Sequence, residues 1–198
     1  MRRALAISVL VLALGAARAA ALPSPDLALA AGGAFGVSSP PDEGGVALSL
    51  AALWSFDGPF SFGPMLFADD LGTRIDRLRD ANDGTDLGAT EGAHRFAYGG
   101  VWRLDAGLPG AGAWRPYASA AYGVYRIQDD RLGVARGALS STGASAAAGV
   151  RRALPGWGAL GISIRYHQLF NDVVRHYVSA GVDWSWRPWQ EAGGATER

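Results

Sequence analysis

The chain has 198 residues, with eighteen basic and eighteen acidic side chains and hence no formal net charge. That length fits one domain, and the neutral balance lacks the basic footprint of a nucleic-acid-binding protein. The absence of cysteine excludes disulfides, thiolate metal sites and a lipid-modified N-terminal cysteine. Every basic residue is Arg, which we read as compositional bias, although guanidinium groups also suit dense ion networks because they pair bidentately with carboxylates.

The first element reads as a targeting segment. Arg2 and Arg3 form a positive start, and Ala4 to Gly15 form an apolar stretch too short to span a bilayer as a helix. Small residues follow, so cleavage is expected near Ala19 or Ala21. The expected organisation is a signal peptide over 1–21, a barrel over 22–188 and a short polar tail over 189–198.

Beyond residue 21 no run of apolar residues is long enough for a transmembrane helix. Strict alternation recurs instead. From Gly45 to Asp57, the set Val46, Leu48, Leu50, Ala52, Trp54 and Phe56 alternates with small or polar residues, apart from Leu53. Phe96, Tyr98, Trp102 and Leu104 oppose Arg95, Ala97, Gly99, Arg103 and Asp105. Leu160, Ile162, Ile164 and Tyr166 oppose Gly161, Ser163, Arg165 and His167, while Val178, Ala180, Val182, Trp184 and Trp186 oppose Tyr177, Ser179, Gly181, Asp183, Ser185 and Arg187. A helix does not keep a period of two. Eight strands are predicted, at about 26–38, 44–57, 59–69, 93–105, 114–128, 141–153, 157–168 and 176–188. Their lengths match a tilted strand crossing a bilayer.

The connections alternate in length. Asp57 to Pro59, Gly107 to Gly110 and Leu154 to Gly156 are short and rich in Gly and Pro. Ser38 to Gly44, Asp70 to Gly92, Asp129 to Ser140 and His167 to His176 are longer and polar. Short turns at one end and long loops at the other are the outer-membrane pattern, with both termini on the short-turn, periplasmic side. Aromatic residues gather beside the short turns: Trp54, Phe56, Phe60, Phe62, Trp102, Trp114, Trp157, Trp184 and Trp186. Threaded through alternating strands, they are expected at one height as a periplasmic girdle. Phe35, Phe96, Tyr166 and Tyr177 lie toward the loop ends.

In this pattern the chain resembles the small outer-membrane barrels of the OmpA, OmpX and OmpW type. The resemblance spans residues 22–188 and includes the closing pair of strands around Gly161–Tyr166 and Gly181–Trp186. It implies an eight-stranded antiparallel up-and-down transmembrane β-barrel in the bacterial outer membrane, inserted by the outer-membrane assembly machinery as a monomer and surrounded by outer-membrane lipids and lipopolysaccharide. Arg187, Pro188, Trp189 and the polar tail depart from the usual aromatic end of the last strand. The tail is also too short for a peptidoglycan-binding domain.

The inward face is expected to carry Arg95, Arg103, Arg151, Arg165 and Arg187 against Asp57, Asp69, Asp105 and Asp183. Buried ions demand partners, so a structural ion-pair plug is the favoured reading and a narrow solute channel the competing one. Three histidines, His94, His167 and His176, lie near the loop side, with Asp172 and Ser179 close in sequence. A lipid-modifying enzyme would need a base and nucleophile within hydrogen-bond reach, yet the His–x–Ser spacing of such barrels is missing, since position 169 is Leu169. No metal-ligand spacing or cofactor motif is present. In the longest loop, 71–80 reads as a short surface helix and Asn82 to Asp86 as an acidic turn without a calcium-loop pattern. That loop's Arg and Asp mix would suit lipopolysaccharide phosphates. The function expected is non-enzymatic: envelope integrity or surface interaction. A soluble lipocalin-like barrel, with the large apolar face inward, is disfavoured because an eight-stranded interior cannot hold so many large side chains.

Overall fold

The computed structural model describes residues 25–36, 44–56, 59–79, 83–109, 113–131, 134–170 and 176–186. Eight strands follow in chain order: β1 (Asp26–Gly36), β2 (Gly45–Ser55), β3 (Phe60–Arg79), β4 (Asp86–Gly107), β5 (Trp114–Arg131), β6 (Val134–Leu154), β7 (Gly158–Leu169) and β8 (His176–Trp186). Each pairs antiparallel with its neighbours, and β1 pairs with β8, so the sheet closes. All eight predicted strands are present.

The register fixes the shape of the barrel. Following paired residues from Gly107 of β4 leads through Tyr117, Gly149, Ser163, Gly181, Gly32, Ala47 and Asp69, and returns to β4 at Ala97, ten residues from the start. Eight strands with a shear of ten tilt by roughly 40° and stand roughly 8 Å from the axis. Side chains alone can fill such a bore. The closing seam needs glycine: Gly32 and Gly181 face each other across β1 and β8, and a Cβ on either would strike the carbonyl of Ala180 or Ala31.

The strands fall into two length classes. β1, β2 and β8 have 11 residues and β7 has 12, which at this tilt covers about 28 Å, the thickness of a bilayer core. β3 to β6 have 20, 22, 18 and 21 residues and rise roughly 20 Å further on the loop side. The expected loops over 70–92 and 129–140 are therefore largely hairpin arms. The expected surface helix over 71–80 is corrected as well: β3 continues through Arg79, paired with β4 as far as Arg79 and Asp86. Polar residues had hidden the strand, because a ladder that leaves the apolar zone no longer needs alternating hydrophobicity. Its path is punctuated by register shifts at Asp70/Gly72, Thr73/Ile75 and Leu78/Arg79. At the first, Gly72 adopts φ 71° and donates its N–H to Asp70 Oδ1 at 2.8 Å, a β-bulge built on glycine's freedom at positive φ. The turn at 83–86 keeps the expected acidic character, with Thr85 N–H donating to Asp83 Oδ1 at 2.9 Å. β4 and β5 stay paired only up to His94 and Asp130, so the two tall hairpins part above that level.

Candidate functional site

The alternation decides which side chains share the bore. Odd-numbered residues of β2 to β8 and even-numbered residues of β1 face inward, and they are the buried set. From the turn side to the loop side the bore holds four layers.

The first layer is ionic. Arg103 donates through Nε and Nη2 to Asp105 at 2.6 and 2.9 Å. Arg151 donates through Nη2 to Asp105 at 3.0 Å and through Nε to Asp183 at 2.9 Å. Tyr117 donates its hydroxyl to Asp183 at 3.0 Å, and its ring lies 3.7 Å from the Arg151 guanidinium. Two carboxylates and two guanidiniums from β4, β6 and β8 thus form one continuous network. Charge-assisted pairs of this kind are strong where water is excluded.

Above it lies a cavity of about 40 Å³, bordered by small residues such as Ala30, Gly32, Ala47, Ser49 and Gly181. Arg165 reaches across this level and donates to Ser145 Oγ at 3.3 Å and Ser119 Oγ at 3.4 Å.

The third layer is aromatic. His167 stacks on Tyr177 with 4.1 Å between centroids and 9° between planes. Its Nδ1 lies 3.2 Å from the Tyr125 hydroxyl and its Nε2 lies 3.1 Å from Ser179 Oγ. Tyr177 donates to Asp69 Oδ2 at 2.7 Å, and Phe67 packs on Tyr125 at 4.6 Å. Tyr125, Tyr177 and His167 are fully buried. Leu71, Ile127 and Leu169, also fully buried, form the fourth layer at the loop-side mouth.

Of the sequence-predicted inward charges, Asp69, Arg95, Arg103, Asp105, Arg165 and Asp183 are buried and Arg151 is mostly so. Asp57 and Arg187 lie outside the described residues. The structure joins Arg103, Asp105, Arg151 and Asp183, and sets Asp69 and Arg165 apart in the upper layers with tyrosine and serine partners. Those partners were missed. Tyr177, toward the loop end of β8, faces the bore. Its parity opposite Val178 carried that signal.

The three histidines do not converge. His94 Nε2 pairs with Asp70 Oδ1 at 3.1 Å on the wall, His176 stacks on Tyr166, and His167 is inside. Asp172 lies outside the described residues. His167 and Ser179 are within hydrogen-bond reach, but they meet in the bore between closed layers rather than at the rim.

The outward face is the reverse of the inward one. Leu48, Leu50, Leu66, Val124, Ile162, Ile164 and Val182 are all exposed. Trp102, Trp114, Trp157, Trp184, Phe56, Phe60 and Phe62 are exposed, and Trp54 and Trp186 are half-buried. Phe62 stacks on Trp102 at 5.2 Å and Trp184 on Trp186 at 4.6 Å, while Trp184 Nε1 donates to the Trp157 carbonyl at 2.7 Å. Trp102 stands five residues inside the Gly107 end of β4, roughly 12 Å above that rim. The remaining aromatics sit near the rim. The difference is distance along the strand: Phe62 and Trp184 stand two residues from their strand ends and Trp54 one, against five for Trp102.

An ion-bearing interior inside an apolar exterior defines the class: an inside-out barrel. No protein-family model and no curated protein matches the sequence. Solved structures do. Neisserial surface protein A aligns with a TM-score of 0.59 at 16% identity, covering 82% of this chain and 97% of its own. The N-terminal β-barrel domain of Pseudomonas aeruginosa OprF aligns at 0.50 and 12%, covering 83% and 99%. The Pseudomonas aeruginosa outer membrane protein OprG aligns at 0.50 and 10%, covering 83% and 97%. The chain has the fold of the small eight-stranded outer-membrane barrels.

Proposed function

We propose that this protein is an integral barrel of the bacterial outer membrane, without enzymatic activity, that holds two tall hairpins above the surface for envelope integrity or surface interaction. The observation that carries the reading is the inversion of polarity: charged side chains are buried while Leu, Ile, Val and Trp are exposed. In water that arrangement would expose a large apolar area with no compensation; in a bilayer it is the stable one. The short strands match the bilayer core, and the aromatic residues beside the short turns suit its periplasmic interface, which supports periplasmic termini.

The closed layers speak against a solute channel. The small inward residues border a cavity of about 40 Å³, room for a few waters at most. The full burial of His167 speaks against catalysis by His167 and Ser179 on a lipid at the membrane surface. Fractionation together with heat-modifiable migration on a detergent gel tests the membrane reading. The expected result is recovery in the outer-membrane fraction with a folded band that shifts on boiling; release as a soluble periplasmic protein overturns it. Planar-bilayer recordings of the refolded chain are expected to stay flat.

A further inference from the structure

The outer wall carries a groove that neither the bore nor the hairpins require. It runs along the outward faces of β3, β4 and β5, with Gly100 as its floor, Leu66 and Val124 as its walls, and Tyr98 and Arg126 at its loop-side end. The groove exists because Gly100 has no side chain: a Cβ there would meet only Leu66 Cδ2, at 3.5 Å. Leu66 and Val124 are well exposed, so the groove opens onto the apolar belt.

Its head is polar and cationic. Arg126 is exposed, with its guanidinium 6.0 Å from the centre of the Tyr98 ring, and it forms no ion pair among the described residues. The outward carboxylate at this height on β3, Asp70, is already held by the Gly72 N–H and by His94. Arg126 pairs with Tyr98, Tyr98 with Ala68, and Ala68 with Leu48, close to the loop-side end of β2. Counting along the slanted register puts Arg126 roughly 25 Å above the turn-side rim, where the head groups of the loop-side leaflet begin.

We propose that this groove is a binding site for lipid A, the acylated, phosphate-bearing glycolipid of the loop-side leaflet: one acyl chain lies over Gly100 between Leu66 and Val124, and Arg126 donates to a phosphate. The inference rests on the membrane reading above. An apolar slot continuous with the lipid-facing belt takes an acyl chain without desolvating any polar group. A guanidinium at its head is the side chain best suited to a phosphate, which it can grip through two N–H groups. Charge and shape therefore select the same ligand from its two ends.

Native mass spectrometry of the full chain, refolded in detergent and titrated with bisphosphorylated lipid A, tests the site. Phosphatidylcholine, inorganic phosphate, R126A, R126K and G100L are the comparisons. The protein is expected to retain lipid A in preference to phosphatidylcholine, with inorganic phosphate failing to displace it. R126A should weaken retention by about tenfold or more, the usual effect of losing a charge-assisted contact. R126K should recover part of it, and G100L should weaken retention while leaving the charge in place. Equal retention of lipid A by the native chain and R126A overturns the proposal. So does equal retention of phosphatidylcholine, or a dimer of the chain in place of a lipid adduct. Heat-modifiable migration, run on every variant, separates the two readings. A chain that never gives a folded barrel sinks the membrane reading, whereas a folded barrel that does not discriminate between lipids sinks only the site.

Discussion

The barrel body and the two hairpins above it are made of the same strands under different rules. In the body each strand has a neighbour on both sides and an inward face locked into a charged or aromatic layer. In the β3–β4 hairpin beyond Thr73 and His94, each strand pairs with one partner among the described residues and the register slips twice, between Thr73/Ile75 and Leu78/Arg79. A ladder with little to bury behind it contributes little to stability and tolerates change. The body should therefore set the stability of the protein and the hairpins its surface chemistry, and substitutions in the two regions should differ sharply in cost.

The largest effect is expected at Asp105. Its carboxylate accepts from both Arg103 and Arg151. Asp105→Ala leaves Arg103 without its carboxylate and Arg151 with Asp183 alone, and should cost about 3–5 kcal/mol, read as a lower urea midpoint for unfolding of the barrel from lipid vesicles. A midpoint unchanged within error would mean that the ionic layer is not what holds the turn-side half together. Asp105→Asn, which keeps the shape but not the charge, should fall between the two.

Next comes the seam. Gly181→Val forces a branched side chain against the Ala31 carbonyl and Gly32, and overpacking of this kind costs about 1–3 kcal/mol. Because it acts where the sheet closes, it should also slow insertion, seen as a lower yield of the heat-modifiable band at early times. Tyr177→Phe removes the hydroxyl that donates to buried Asp69 and should cost about 1.5–3 kcal/mol by the same urea assay. The stacking on His167 remains in that variant, so the loss isolates the hydrogen bond.

The same contrast explains what could be read from the residues alone. In the body, one face must meet lipid and the other must meet the bore, so the alternation of Val46 to Phe56 or of Leu160 to His167 announces both the strand and its orientation. Membership of the inward charge set followed from parity. The pairings within it did not, because Arg103 meets its own-strand neighbour Asp105 while Arg151 reaches from β6 to both β4 and β8, and that depends on the shear. Residue type does not assign Tyr117 and Tyr125 to the bore, because an aromatic ring fits either face, and only parity, as for Tyr177 in the set with Asp183, tells which. Trp102 differs for a simpler reason: it is five residues from the end of its strand, which is roughly 12 Å of height at this tilt. Above the membrane zone the alternation fades, so residues 71–80, with their Arg and Asp, resembled a polar helix as much as a strand arm.

The smallest expected effect is the sharpest test of the comparison. Thr73 and His94 face each other in the ladder, so β3 and β4 can be rejoined there through an Asn-Gly turn, which suits a two-residue hairpin. This removes the whole upper β3–β4 arm, including the turn at 83–86, but leaves every layer of the bore intact: Asp69 and Leu71 lie below the cut on β3 and Arg95 below it on β4. The shortened chain should give the same heat-modifiable band and a urea midpoint within about 1 kcal/mol of the full chain, since shortening a surface connection changes closure entropy only slightly. Binding of whatever the surface contacts should fall in the same variant. If the shortened chain instead fails to fold, the arm belongs to the stability of the barrel, and the division of labour between body and hairpins is wrong.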